Sequence, residues 1–183
     1  AYIWRRAPPA LGTEAARLVA TVSRSTSAAT RAEASQFRLA GHLGSALELE
    51  AALAALRGVL ANPHEDQELC RAVWALLGAL VEGQPALATL LLTGRPEGGA
   101  RDGKPPERTD GKPADGQPRT PLQLAVQSVA RHGPALWDDA PALLDMQLCF
   151  LHVAWAHALE HASVFSALHE HKPLWEVLAG LVQ

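Results

Sequence analysis

The string His157-Ala158-Leu159-Glu160-His161 combines residue types and a spacing that can do chemistry. On a helix its two imidazoles lie one turn apart and can both reach a zinc ion. Glu160 can then take a proton from the metal-bound water, the working arrangement of a zinc hydrolase. Such a site needs a third protein ligand, and Glu170 and Glu176 are the sole carboxylates after His161. Both follow tight-turn signals, and Glu176 stands beside Pro173 and Trp175. Five of the eight histidines fall within 152–171, a stretch rich in Ala and Leu where the H-x-x-E-H order arises from composition alone. The preferred reading is therefore helix histidines that face solvent or make hydrogen bonds. Zinc hydrolysis by His157, Glu160 and His161 stands as the alternative.

Other reactive residues form weaker patterns. Cys149 and His152 are one turn apart, and both fit packing positions. Cys70 and Cys149 each sit in an apolar helical pattern with no CxxC partner, which reads as two reduced core thiols rather than a disulfide. Ser163 and Ser166 lie near histidines but lack a nucleophile elbow, and Ser163 reads better as a helix N-cap. Gly98-Gly99 follows no strand, so nucleotide binding has no support. No catalytic, cofactor-binding or metal-ligating residue is assigned, and no cofactor is expected.

The elements that would position these residues read as helices. The chain has 183 residues, of which 48% are hydrophobic and 19% charged, enough to bury a sizeable core. Ala and Leu dominate, and β-branched residues never alternate with polar ones over a strand's length, so the period-two signature of sheets is missing. A formal charge of −3 with scattered Lys and Arg argues against a nucleic-acid surface. No long uncharged apolar run predicts a membrane span, and Ala1-Tyr2-Ile3-Trp4-Arg5-Arg6 does not start a signal peptide.

Helix starts are marked by an N-cap oxygen with Glu or Gln three residues later: Thr30 with Glu33, Ser45 with Glu48, Asn62 with Glu65, and Thr120 with Gln123. Pro63 and Pro121 occupy first helical positions, where the missing N–H costs nothing. Apolar stripes follow at Leu49, Leu53, Leu56 and Leu60; at Leu69, Val73, Leu76, Leu77 and Leu80; and at Leu122, Val126 and Val129. Gly83 closes the helix carrying Trp74, and Gln84-Pro85 opens another with Leu87, Leu90 and Leu91 on one side. Near the front, Leu11, Ala15, Leu18 and Val22 give a weaker helix that ends in a Ser/Thr-rich turn at 23–30. A last stripe runs through Leu144, Leu148, Leu151, Trp155 and Leu159.

Among the five tryptophans, Trp74 and Trp155 read as core. Pro173 to Trp175 read as packing the last helix, and Trp137 as exposed at an inter-helix turn within 132–139. Residues 94–119 hold Asp102-Gly103-Lys104-Pro105, Asp110-Gly111-Lys112-Pro113 and the variant Asp115-Gly116-Gln117-Pro118. This is a disordered low-complexity loop within a single domain over 1–183, read as a tolerated surface insertion. Eight or nine short helices with short connections pack antiparallel. The expected fold is all-α, with helix pairs stacked as a HEAT- or armadillo-like α-solenoid segment and no β-sheet; 45–60 with 63–81 has about the length of one such repeat.

Two strings together resemble a known family. Val81-Glu82-Gly83-Gln84-Pro85-Ala86-Leu87 closes one helix and opens the next. Phe150-Leu151-His152-Val153-Ala154-Trp155 is followed by His171-Lys172-Pro173-Leu174-Trp175-Glu176. In the large scaffold nucleoporins of the nuclear pore inner ring, "x-Q-P-G-L" opens a helix after an acidic residue. A variable polar loop intervenes, and "F-L-H-A-L-W" then precedes "K-P-x-x-W-E-x-L". The resemblance covers about 69–178, and the first third loosely. Ala86 replaces the family's glycine, and the loop is longer and more biased.

The resemblance implies a segment excised from the middle of a long α-solenoid in the nuclear pore complex at the nuclear envelope. Such proteins bind linear segments of other nucleoporins and so support nucleocytoplasmic transport. It implies no enzyme activity, no small-molecule substrate and no transmembrane segment. An unrelated cytosolic HEAT or armadillo regulator would share the fold and differ in its partner.

Overall fold

The computed structural model describes residues 9–28, 46–63, 65–93, 119–158, 162–169 and 172–182. Within them every regular element is a helix: α1 Pro9–Ala28, α2 Ala46–Ala61, α3 Gln67–Gly83, α4 Pro85–Thr93, α5 Pro121–Asp139, α6 Pro141–Ala158, α7 Ala162–His169 and α8 Lys172–Val182. No strand occurs among the described residues. None of these helices is long and apolar enough to cross a membrane. The expected caps at Thr30 and Ser45 and the DGKP loop at 94–118 lie outside the described residues.

Two corners use the same local device. The Gln84 N–H donates to the Leu80 carbonyl at 2.9 Å, and the Gln84 carbonyl accepts from Leu87 and Ala88, both at 2.9 Å. One residue thus ends α3 and begins α4. Ala140 repeats this between α5 and α6, donating to Leu136 O at 2.9 Å and accepting from Leu143 and Leu144 at 3.0 and 3.2 Å. Each precedes a proline, whose ring drives the preceding residue out of helical dihedrals and needs no N–H partner at the first helical position.

The expected turn at 132–139 is accordingly displaced. α5 continues through Gly133 and the exposed Pro134 at the cost of one backbone hydrogen bond, and turns only at Ala140. A second displacement concerns Asn62, expected as an N-cap. The Glu65 N–H bonds to Asn62 O at 3.2 Å in a tight turn, and the cap of α3 is Asp66, whose Oδ1 accepts from the Leu69 N–H at 2.9 Å. The Thr120/Gln123 capping box forms as expected, with Thr120 N to Gln123 Oε1 at 3.0 Å and Gln123 N to Thr120 Oγ1 at 3.2 Å. α7 begins at Ala162, so Ser163 lies inside its first turn rather than capping it.

The helices pack in a regular order. α2 touches α5, α3 touches α6, α4 touches α7 and α5 touches α8, each helix meeting the one three places later. α1 packs on α3, and this is the most extensive helix pair. Three layers result: α1 with α2, then α3 to α5, then α6 to α8. The first and third make no substantial helix contact among the described residues. α3 lies in the middle and is buried nearly all round, from Cys70 through Trp74, Leu77 and Leu80 to Val81.

The face of α1 is inverted relative to expectation. Its buried side consists of Gly12, Thr13, Ala16, Ala20 and Ser23, while Leu11, Leu18 and Val22 are exposed. Small side chains let two helix axes approach closely, and the contact area gained along α3 outweighs burying three larger residues elsewhere. Arg17 ties the pair at the surface, donating to Glu68 at 2.6 Å and Glu14 at 2.7 Å.

In the remaining stripes of α2 to α5, Leu53, Leu69 and Leu90 are only partly buried, and the other described positions are buried. Leu56, Leu60, Val73, Leu76, Leu77, Leu80, Leu122, Val126 and Val129 are all buried. The expected α6 stripe is met in part: Leu144 and Leu151 are buried, Leu148 and Trp155 lie at the edge of the core, and Leu143, Gln147, Phe150 and Ala154 face the centre beside them. Gln147 is 1% exposed and donates through Nε2 to the Ser128 hydroxyl on α5 at 3.1 Å. That bond offsets the cost of placing an amide in the core.

Candidate functional site

The crossing of α3 and α6 leaves an open groove of about 500 Å³. Trp74, Ala75, Gly78 and Glu82 line it from α3, at positions spaced to share one helix face. Met146, Cys149, Phe150, His152 and Val153 line it from α6. Its floor is the Trp74–Phe150 pair, with ring centroids 5.1 Å apart and planes inclined by 44°. A Cβ built on Gly78 would meet nothing within 4 Å, so the missing side chain is part of what keeps the groove open. Trp74 is core, as expected, at 1% exposure.

Behind the floor, burial pushes the Cys70 thiol up to about 12, and Trp74 one turn later partly opposes the rise. The Trp74 indole N–H lies beside that thiol without completing a hydrogen bond to it or to any other group. Cys70 is thus an inert thiol of the core. Cys149 is not: contrary to expectation it is exposed, on the solvent-facing arc of α6 with His152. The rim therefore carries Glu82, Cys149 and His152 around an apolar floor. Such a shape takes an apolar side chain, and Glu82 attracts a cationic neighbour.

An aromatic face gathers on the third layer. Trp155 of α6 meets Phe165 of α7 at 5.6 Å and Trp175 of α8 edge-on at 5.5 Å, and Phe165 stacks with His169 at 5.3 Å. The Trp175 indole N–H donates to the Leu168 carbonyl at 2.9 Å, fastening α8 to α7. Trp155 is only partly buried, so it is not the core residue the sequence suggested, and Trp175 packs there while staying 39% exposed. Trp137 is exposed, as expected.

Of the zinc-type string, His157 is half-buried on α6, while Leu159, Glu160 and His161 lie outside the described residues, as does Glu170. No cluster of three or more His, Cys, Asp or Glu suited to a metal ion occurs among the described residues. The groove itself escaped sequence reading because its two walls are far apart in the chain. Its one local signal was the spacing of the small residues Ala75 and Gly78 on one face of α3.

Comparison with family models, with curated proteins and with solved structures finds no match to this chain.

Proposed function

We propose that the chain is an interaction scaffold, a segment of an α-solenoid whose units hold three helices, as in armadillo arrays, rather than the helix pairs expected from the sequence. The observation that carries the reading is the packing order, in which α2, α3, α4 and α5 each meet the helix three places later. An array of three-helix units produces that order because equivalent helices of successive units lie side by side. A compact bundle has no reason to repeat it. In this reading the chain is not an enzyme; the groove between α3 and α6 receives a linear segment of a partner protein, with an apolar anchor on Trp74 and Phe150 and a basic residue near Glu82.

The partner class follows from the resemblance to scaffold nucleoporins of the nuclear pore inner ring. Within that family the strings are nearer to nucleoporin one-eighty-eight than to its larger paralogue, nucleoporin one-ninety-two or two-oh-five. Two facts support it. The Gln84-Pro85 string forms a one-residue helix corner, and the Lys172-Pro173-Leu174-Trp175 string opens α8 against the preceding helix. The protein then works at the nuclear pore, spacing other nucleoporins and supporting transport of protein and mRNA. Tagging the parent protein in its own cells tests this. Nuclear-rim fluorescence with co-purifying inner-ring nucleoporins is the expected result; a diffuse cytosolic signal with no such partners would refute it and favour a cytosolic regulator of the same fold.

A further inference from the structure

The groove between α3 and α6 has a length and a polarity as well as a shape. Trp74, Gly78 and Glu82 line it at four-residue steps along α3, so at about 1.5 Å per residue about 12 Å of helix separates the first from the last. Each step turns by only about 40°, which keeps all three on one side of the helix. One end is the apolar floor of Trp74 and Phe150. In the middle is space that a Cβ on Gly78 would enter without touching anything. At the other end is Glu82, the only lining residue of fixed charge, exposed and with no ion-pair partner among the described residues.

We propose that the groove selects a spaced motif: an extended segment of a partner protein with two apolar residues and a Lys or Arg at positions i, i+2 and i+4. The motif rests on the reading of the groove as a peptide site. An extended chain rises about 3.3 Å per residue and turns every second side chain to the same face, so only even spacings keep both end contacts. Four residues cover about 13 Å and match the groove, whereas two cover about 7 Å and six about 20 Å. The outer apolar residue lies on Trp74 and Phe150, the middle one enters the space beside Gly78, and the cation meets Glu82. An acidic residue at that last position would face the carboxylate and be repelled, so the charge also selects among segments of equal hydrophobicity. A helical segment covers the same distance only with its anchor and cation about eight residues apart.

Fluorescence anisotropy with the 183-residue chain tests the motif. The probes are short Ser/Gly peptides carrying Leu, Val and Arg at alternate positions, one in each chain direction. At least one should bind, and moving its Arg by one residue should weaken it about fivefold, the upper value of an exposed ion pair. Glu82→Lys should weaken the same probe by at least that factor, and should bind a probe with Glu in place of Arg more tightly than wild type does. Gly78→Leu should abolish capture with a urea midpoint no lower than that of wild type, because its Cβ meets no neighbour and leucine is the better helix former. If Gly78→Leu abolishes capture but affinity ignores both the Arg position and Glu82→Lys, peptides enter the groove and the spaced motif is wrong. Preference for a helical probe with the longer spacing overturns the motif equally. If neither probe binds, or Gly78→Leu binds as well as wild type, the groove is not a peptide site and the motif falls with that reading.

Discussion

Gly133 offers the sharpest test of the packing order, because α8 lies against α5 there. A Cβ added at Gly133 would come within 2.9 Å of Val177 Cγ1, closer than real side-chain atoms approach. Two opposed effects set the outcome of Gly133→Ala. Replacing glycine inside a helix stabilises by about 1 kcal/mol. Forcing a methyl into a close contact costs about 2 kcal/mol, since Val177 must shift or leave its rotamer. The net is a loss of about 1 kcal/mol. Val177→Ala removes the obstructing methyl at its own cost of about 1 kcal/mol. In that background Gly133→Ala should turn stabilising by about 1 kcal/mol, a coupling of about 2 kcal/mol. Urea unfolding followed by far-UV circular dichroism measures all four corners, provided the slope with denaturant stays constant. Gly133→Ala having the same effect in both backgrounds, within about 0.5 kcal/mol, means that α8 does not sit on α5. The three-place packing order then fails with it.

Three further outcomes are expected. Thr120→Ala removes the side-chain half of the capping box, the hydroxyl that accepts from the Gln123 N–H, and should destabilise by about 1 kcal/mol in urea unfolding, whereas Asn62→Ala, no longer a cap, should change stability by less than half of that. The Cys70 thiol is raised from an ordinary value of 9.0 to about 12, so the folded state keeps its proton where the unfolded state has lost it. No stability difference arises below pH 9; above it stability falls by about 1.4 kcal/mol per pH unit until about pH 12, and Cys70→Ala should remove that component of the slope. Trp175→Ala should cost about 2 kcal/mol rather than the 3 to 5 kcal/mol of a buried ring, because it loses one hydrogen bond and one edge-on aromatic contact.

How much could be read beforehand depended on whether the deciding force was local. Thr120 with Gln123 was legible because a capping box is complete within four residues. Gln84-Pro85 was legible for the same reason, and Ala140-Pro141 carries the same signal, overshadowed by the nearby Gly133-Pro134 pair. Asn62 lost its role to Asp66 because the Asn62-Pro63 turn consumed the backbone that a helix start would have used. α1 failed in a more instructive way. Periodicity ranks a face by hydrophobicity, so it selected Leu11, Leu18 and Val22; close helix approach ranks a face by smallness, and Gly12, Ala16 and Ala20 won. Cys149 is exposed rather than core, and Gln147 is buried, because α6 is surrounded by α3, α5 and α7, and the rotation that satisfies all three cannot be inferred from one helix.

The groove follows from the same physics. Within α3 the positions facing α6 run from Trp74 through Ala75 and Gly78 to Glu82, large at one end, small in the middle and charged at the other. The large residue sets the spacing of the two helices by meeting Phe150, and the small ones then leave unfilled space beside it. A core selected for stability alone would fill that space, since a cavity-lining glycine sacrifices both helix propensity and dispersion contacts. Gly78 carries both costs while a Cβ there would strike nothing. Space left open at an expense in stability, lined by aromatic rings and flanked by a carboxylate, is what a surface for another chain's side chain requires. The three-layer packing supplies the rigid walls that keep it open.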